Sequence, residues 1–461
     1  MIARFGLTAA AAAVVVITTF TPLAHAKPVV LSVDSMRQLA YETLQAGFAK
    51  QALTYTDALL ARDAKDTTAL IIRAQALRAL GRAPEARQVA KMAWTLADTD
   101  KARFGAAMAM AQALSTMGRR TSAQLWLRRA AQHAPNQRAR DIARRDFGYV
   151  KSRNPWVLQF DGTASPSSNI NNGSRQSKMS LSGLPIEFEI PAQSQALSGF
   201  ELGFGLTATY RFAPTDRAMT EARFAVNGQI ASLSPDAQDA APLARNADYT
   251  FVAAEAGLQQ TRALGDQGRT VLRLTGTLGH NWYGGEDLSD YLRLSMGLDR
   301  KLASGALLGF GVSADRTARI DSPLQSSDRV AMTLGYTINA GANGQDRLTF
   351  ELESATTASG SAEVRSVAQT VSVEWSKAQP VAGIALSGGL KIGLQRFADS
   401  GYVAGGRDDL KLSANLSMTF QNIDYLGFSP VLTVQASKNR SNSALHDSEN
   451  FGIALGIRSS F

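Results

Sequence analysis

The chain has 461 residues, 45% of them apolar, with 48 Lys and Arg against 39 Asp and Glu and a net charge of +9. That length accommodates two domains, and that polarity excludes a bundle of membrane-spanning helices. There is no cysteine, which excludes a disulfide framework and a lipid anchor attached through an N-terminal cysteine. In chain order, Arg4 precedes an apolar run from Leu7 to Ile17, and Ala24-His25-Ala26 follows. A charged start, a short apolar run and a small-x-small site make a secretory signal peptide, so residues 1–26 are read as a leader with maturation at Lys27. Beyond it no stretch is long enough for a spanning helix, so any membrane crossing has to be built from strands.

Residues 27–150 are rich in Ala, Leu, Gln and Arg, which are strong helix formers. Glycines at Gly47, Gly81 and Gly118 mark the turns of three helical hairpins, 34 and then 37 residues apart. Five residues after each glycine stands an alanine (Ala52, Ala86, Ala123), small enough to let the second helix of a hairpin press against the first. The period and the run Ala79–Ala86 resemble tetratricopeptide repeats, although the consensus tryptophan and tyrosine are missing. A plain stack of α-hairpins is the simpler reading. Solenoids of this kind bind segments of other proteins on a concave face. The region carries 20 Lys and Arg against 10 Asp and Glu, enough to account for all of the chain's positive excess. Its densest cluster is Arg138, Arg140, Arg144 and Arg145, expected to be either a solvated helical surface or a patch facing an acidic partner or outer-membrane lipid head groups. A nucleic-acid partner does not fit a secreted domain joined to a membrane barrel.

Asn154-Pro155 breaks the helical pattern, and strict alternation begins at Trp156. The clearest instance is Asp409–Gln421, with Leu410, Leu412, Ala414, Leu416, Met418 and Phe420 alternating with polar residues. A strand crossing a bilayer needs about 9–11 residues, with lipid on one side and a wet lumen on the other. Fourteen such strands are predicted, near 156–165, 198–210, 219–230, 248–261, 269–281, 289–301, 305–316, 329–340, 346–356, 365–377, 381–396, 408–421, 427–438 and 449–461. Alternate connections are short and long, as in barrels whose tight turns face the periplasm. Residues 151–461 are therefore predicted to form an antiparallel fourteen-stranded outer-membrane barrel, with residues 27–150 as a periplasmic helical domain. The terminal Phe461 looks like the sorting signal read by the barrel assembly machinery, and closure requires the strand from Trp156 to pair with the one ending there. That first strand is expected to be short, weakened by Gly162 and ended at Pro166. Arg273, Arg293, Glu351, Glu353, Glu374 and Lys411 take inward positions, a lumen of mixed sign.

The sequence shows no site for chemistry. His133, His280 and His446 are the only histidines after the leader, and none lies in a pattern that pairs it with a nucleophile. His446 with Asp447 and Glu449 lacks the spacing of a metal site, and His280-Asn-Trp-Tyr reads as an interface anchor. Neither a catalytic residue, a metal nor a cofactor is expected.

The segments Asn154–Asn171, Gly183–Ile190, Gly199–Gly205 and Gly427–Ser443 resemble the barrel of the surface lipoprotein assembly modulator (Slam) family. The likeness is carried at its start by Pro166, Ser168, Asn169, Ile170 and Asn171. Ser167 stands where the family has an acidic residue, and Ala444–Asn450 departs from a more aromatic segment. The resemblance implies periplasmic repeats joined to a fourteen-stranded barrel that helps secreted or lipidated cargo proteins reach the cell surface. For Ser168–Asn171 the simpler expectation is an Asx-type turn capping the first strand; the functional one is a loop folded towards the lumen that contacts cargo or plugs the pore. An exopolysaccharide export pore is the alternative to a protein translocator; three repeats and a lumen of mixed sign favour the translocator.

Overall fold

The computed structural model describes residues 30–180, 186–265, 267–341 and 344–459. The leader and Phe461 lie outside them. Seven helices come first: α1 (Val33–Gln45), α2 (Ala49–Arg62), α3 (Thr67–Ala79), α4 (Ala83–Leu96), α5 (Asp100–Thr116), α6 (Arg120–Gln132) and α7 (Gln137–Arg153). They make the three expected hairpins, followed by α7 packed on α6. Gly47, Gly81 and Gly118 occupy the hairpin turns with φ of 89°, 78° and 73°, a left-handed conformation that side chains with a Cβ disfavour. Ala52, Ala86 and Ala123 are each 0% exposed, wedged between helices.

The strands are β1 (Trp156–Ser167), β2 (Lys178–Ser180), β3 (Glu187–Glu189), β4 (Gly199–Arg211), β5 (Ala218–Leu233), β6 (Phe251–Leu264), β7 (Thr270–Tyr283), β8 (Glu286–Lys301), β9 (Leu307–Arg319), β10 (Ser327–Ala340), β11 (Asp346–Ser359), β12 (Ser366–Ser376), β13 (Ile384–Phe397), β14 (Arg407–Phe420), β15 (Phe428–Ser441) and β16 (Ser448–Ser459). All but β2 and β3 close into one antiparallel barrel in which β1 lies between β4 and β16. The fourteen barrel strands fall where alternation places them. What alternation leaves out is the small β2–β3 hairpin, in the long connection from β1 to β4, and a one-and-a-half-turn helix, α8 (Pro235–Ala240).

The outer wall is apolar and bare: Phe200, Leu202, Leu206, Leu278, Leu390, Ile392, Leu394 and Leu455 are all exposed. In water such a belt would drive aggregation; against hydrocarbon it is the face that a membrane barrel of outer-membrane type presents. Inward side chains pair with one another. Arg223 lies 3.7 Å from Glu255, Tyr291 donates to Glu255 at 2.8 Å, Arg293 pairs with Asp315, and Arg329 bridges Asp315 at 3.6 Å and Glu353 at 2.7 Å. The mixed lumen is thus a self-neutralising lattice along one wall. Short turns and the helices share one end of the barrel (the helical end), and the long loops share the other (the far end).

Replacing Gly81 with Val forces a branched side chain into the left-handed region and should cost about 1–2 kcal/mol. Ala86→Leu overpacks a closed site by about 1–3 kcal/mol. In detergent, thermal melts followed by circular dichroism should show the helical transition lowered by each, with barrel heat-modifiability on gels unchanged.

Candidate functional site: a forked seam beneath the helical domain

The closing seam has its own construction. β1 pairs with β4 at all twelve of its residues, from Trp156–Tyr210 to Ser167–Gly199. The strand is therefore neither short nor ended at Pro166, contrary to the expectation from its glycine and proline. Against β16, however, register holds only at Gly162–Ile457, Thr163–Gly456, Ala164–Leu455 and Ser167–Gly452. Backbone parity explains the difference. Arg211 donates its N–H to Pro155 O, whereas Ser168 donates to Phe451 O; odd residues of β1 thus bond towards β4 and even ones towards β16. Pro166 is even, so the N–H it lacks is one that β16 would have received. The proline interrupts the seam without disturbing β4.

Below Gly162 the two strands part. Continued register would set Asp161 opposite Arg458 and Phe160 opposite Ser459. Instead β1 follows β4 to Trp156 and β16 follows β15 to the Phe428–Ser459 pair. The fork holds a cavity of about 860 Å³. Its lining includes Leu158, Phe160, Leu206 and Ile457, which alternation places on the lipid face, and Gln159, Asp161, Thr163 and Thr433, which belong to the lumen face. Residues of both faces thus border it. Thr121, Gln124, Leu125 and Arg128 of α6 and Phe147 and Lys151 of α7 floor it.

Two attachments hold the helices there, one on each side of the fork. At the start of β1, Asn154 is 5% exposed; its Nδ2 donates to Thr121 Oγ1 at 3.0 Å, and its Oδ1 accepts from Trp156 N–H at 3.2 Å. Across the fork, α6 and α7 grip the turn between β14 and β15. Arg128 Nη1 donates to Leu426 O at 3.1 Å and Gly427 O at 2.9 Å, and its guanidinium lies 4.7 Å from the Phe428 ring and 5.2 Å from the Phe147 ring. Leu426 N–H donates to Gln132 Oε1 at 3.0 Å, and Arg144 lies 3.4 Å from Asp424. Burial lowers the Arg128 pKa while Asp424 opposes it. Of the arginine cluster, only Arg144 makes this contact. Arg145 lies 3.7 Å from Asp146 on its own helix, and Arg138 is exposed in the first turn of α7. The anchoring cation that the sequence hides is Arg128, one arginine among many in an Arg-rich helix.

At the far end the seam is fastened. Asn169 is 1% exposed; its Nδ2 donates to Gly173 O at 2.9 Å and Glu449 O at 3.1 Å, and its Oδ1 accepts from Gly173 N–H at 2.8 Å. Asn171 Oδ1 accepts from Gly173 N–H at 3.3 Å, the Asx-type turn expected there, and from Leu197 N–H at 2.9 Å. Ile170 packs with Leu197, Ala231, Leu233, Ala237, Ala241 and Ala244. Ala231 and Leu233 are lumen-facing by alternation, so the same segment also folds over the lumen mouth. Asn450 on β16 accepts from Ser167 and Ser168 and donates to Asn169 O.

The loop after β15 joins this fastening. Ser174 Oγ donates to Ala444 O at 2.6 Å, and Arg175 lies 3.0 Å from Asp447 and 3.8 Å from Glu449. His446 turns away from both carboxylates: Arg407 Nη1 donates to its Nε2 at 2.8 Å and to Glu363 at 2.6 Å. With its Nε2 accepting, the neutral ring carries its proton on Nδ1, 3.0 Å from Ser443 Oγ. Burial, then Arg407, lowers the His446 pKa. The other histidines are spread apart: His133 bonds Asp100 at 2.8 Å in the helical domain, and His280 sits between Asp290 and Asp287 on β7 and β8.

Arg128→Ala should free the helical domain from the β14–β15 turn. Double electron–electron resonance between labels on α6 and on that turn should give one narrow distance in the parent and a broad distribution in the variant. For His446 the folded pKa lies below the ordinary value of about 6.5, so its contribution is full above that pH and is lost as pH falls through the lowered value. A nitroxide on Leu445→Cys should accordingly become mobile on acidification, and adding His446→Gln should abolish that step.

No family model and no curated relative matches the chain. Among solved structures, the helical part is similar to the type III secretion translocator chaperone SycD of Yersinia enterocolitica, at 18% identity over 27% of this chain and 88% of that one, TM-score 0.24. The barrel is similar to an outer membrane channel from Pseudomonas putida F1, at 13% identity over 66% and 95% of the two chains, TM-score 0.31. It is similar also to the loop-deleted outer membrane protein OmpT of Vibrio cholerae, at 10% identity over 66% and 99%, TM-score 0.34.

Proposed function

We propose that this protein is an outer-membrane translocator of the surface lipoprotein assembly modulator kind. The helical domain lies in the periplasm and receives a secreted or lipidated protein, and the barrel passes it to the cell surface. The observation that carries this reading is the forked seam: a cavity bordered by lumen-face and lipid-face residues at once, floored by the helices that would deliver the cargo. No catalytic step is needed, since delivery requires binding and release only. A pore for exopolysaccharide would use the lumen from end to end, and the Ile170 cluster over the far mouth gives that reading less support.

The seam also specifies the experiment. Ala164 and Leu455 face each other in register just above the fork, and the native chain has no cysteine. Cysteines at both positions should form a disulfide that stops the fork from widening. Comparing the surface proteome of cells with and without the protein identifies what it exports. Display of that cargo should stop in the oxidised double variant and return on reduction; an unchanged rate in the fully cross-linked barrel would exclude passage by a widening seam.

A further inference from the structure

Below Gly162, β1 has no neighbour on one edge among the described residues. Among the described residues, nothing on β16 pairs with Trp156–Asp161: Phe160 and Asp161 stand apart from Ser459 and Arg458, the residues that continued register would set against them, although all six are paired on their β4 side. By the parity established above, Leu158 and Phe160 direct their N–H and C=O groups into the fork. Trp156 would do the same, but its N–H is taken by Asn154. These groups border the cavity, and their strand is held straight by β4. An extended peptide adds readily to such an edge, with main-chain bonds supplying affinity and alternate side chains supplying specificity.

We propose that Trp156–Asp161 is a strand-acceptor edge, and that what enters the fork is an extended segment of alternating apolar and polar residues. The two-faced lining dictates that pattern. A strand added beside β1 turns every second side chain towards Leu158, Phe160 and the lipid, and the others towards Gln159, Asp161 and the lumen. A helix offers no free main-chain groups to this edge, and a chain apolar on both faces would set apolar side chains against Asp161 and Arg458. The inference rests on the translocator reading for its biological meaning, because it names the form in which cargo engages the fork; the edge itself stands on the pairing of the described residues and on the cavity beside it.

Hydrogen exchange on the purified full chain in detergent tests it, with an octapeptide of alternating Val and Thr as the probe. Without peptide, the amides of Leu158 and Phe160 should exchange at least about 100-fold faster than those of Val157 and Gln159, whose N–H groups face β4. The peptide should slow the first pair by about tenfold or more and leave the second unchanged. Phe160→Pro removes an N–H that faces the fork and none that faces β4, so it should abolish peptide protection at Leu158 while the barrel stays folded. Gln159→Pro removes a β4 bond instead, and its loosening of β1 is the control for general damage. Protection of Leu158 and Phe160 in the absence of peptide would mean the edge is already occupied and would overturn the proposal, as would a peptide that protects neither. Protection by peptide together with undiminished export from the Ala164–Leu455 cross-linked barrel would keep the acceptor edge and reject the translocation route.

Discussion

Within a bilayer a backbone N–H or C=O has no water to bond, and each one left unsatisfied costs on the order of several kcal/mol. Barrels meet this constraint by closing, so that every strand has two neighbours. Among the described residues, thirteen of the fourteen closures are complete or nearly so, and β1 against β16 is the exception. An incomplete ladder tolerates its position only where something other than lipid touches the free groups. The structure provides that: the fork opens inward to lumen-facing polar residues and is floored by α6 and α7. The helical domain is thus part of how the barrel wall is completed at its weakest place.

This constraint also accounts for the placement of the anchors. Asn154 and Thr121 hold the β1 side of the fork, while Arg128, Gln132 and Arg144 hold the β14–β15 turn on the other. Arg128 is better buried than an exposed ion pair and is bonded to two carbonyls between two aromatic rings, an arrangement worth more than the Arg144–Asp424 contact at the surface. The lumen is organised differently. Its lattice from Arg223 to Glu353 is internally neutral, so it stiffens one wall without creating a field that would select small ions of one sign.

Much of the architecture was legible in the residues because it depends on local periods. Alternation of two places Leu410 to Phe420 on one face whatever their neighbours, and a glycine followed five residues later by alanine marks a hairpin wherever the hairpin sits. What depended on non-local pairing was not legible. Gly162 and Pro166 read as strand breakers, yet β4 carries the strand straight through both, because the donor that Pro166 lacks belongs to the other edge. Arg128 could not be told from its neighbours, since only the fold brings the β14–β15 turn, almost 300 residues later, against it. Likewise Ser168–Asn171 showed its turn chemistry in advance, but not that Ile170 would sit on Ala231 and Leu233 over the lumen.

The two ends of the seam are built for different behaviour, and their order along β1 gives the seam a direction. Near the far end, Asn169, Asn450, Ser168 and Arg175 cross-link β1, β16 and the loop after β15 through side chains, so separating the strands there breaks several hydrogen bonds together. Near the helical end no such bonds join the described residues, and β1 and β16 part below Gly162. Between them lie three ladder positions, Gly162 to Ala164, then the interruption at Pro166. Any widening therefore starts at the helical end and runs towards Pro166, where the next ladder bond is missing in advance. It stops at the Asn169–Asn450 fastening, which the neutral His446 and Arg407 help to hold through the loop that carries Asp447. A seam built this way can part beside the helical domain while the barrel stays closed at the opposite rim.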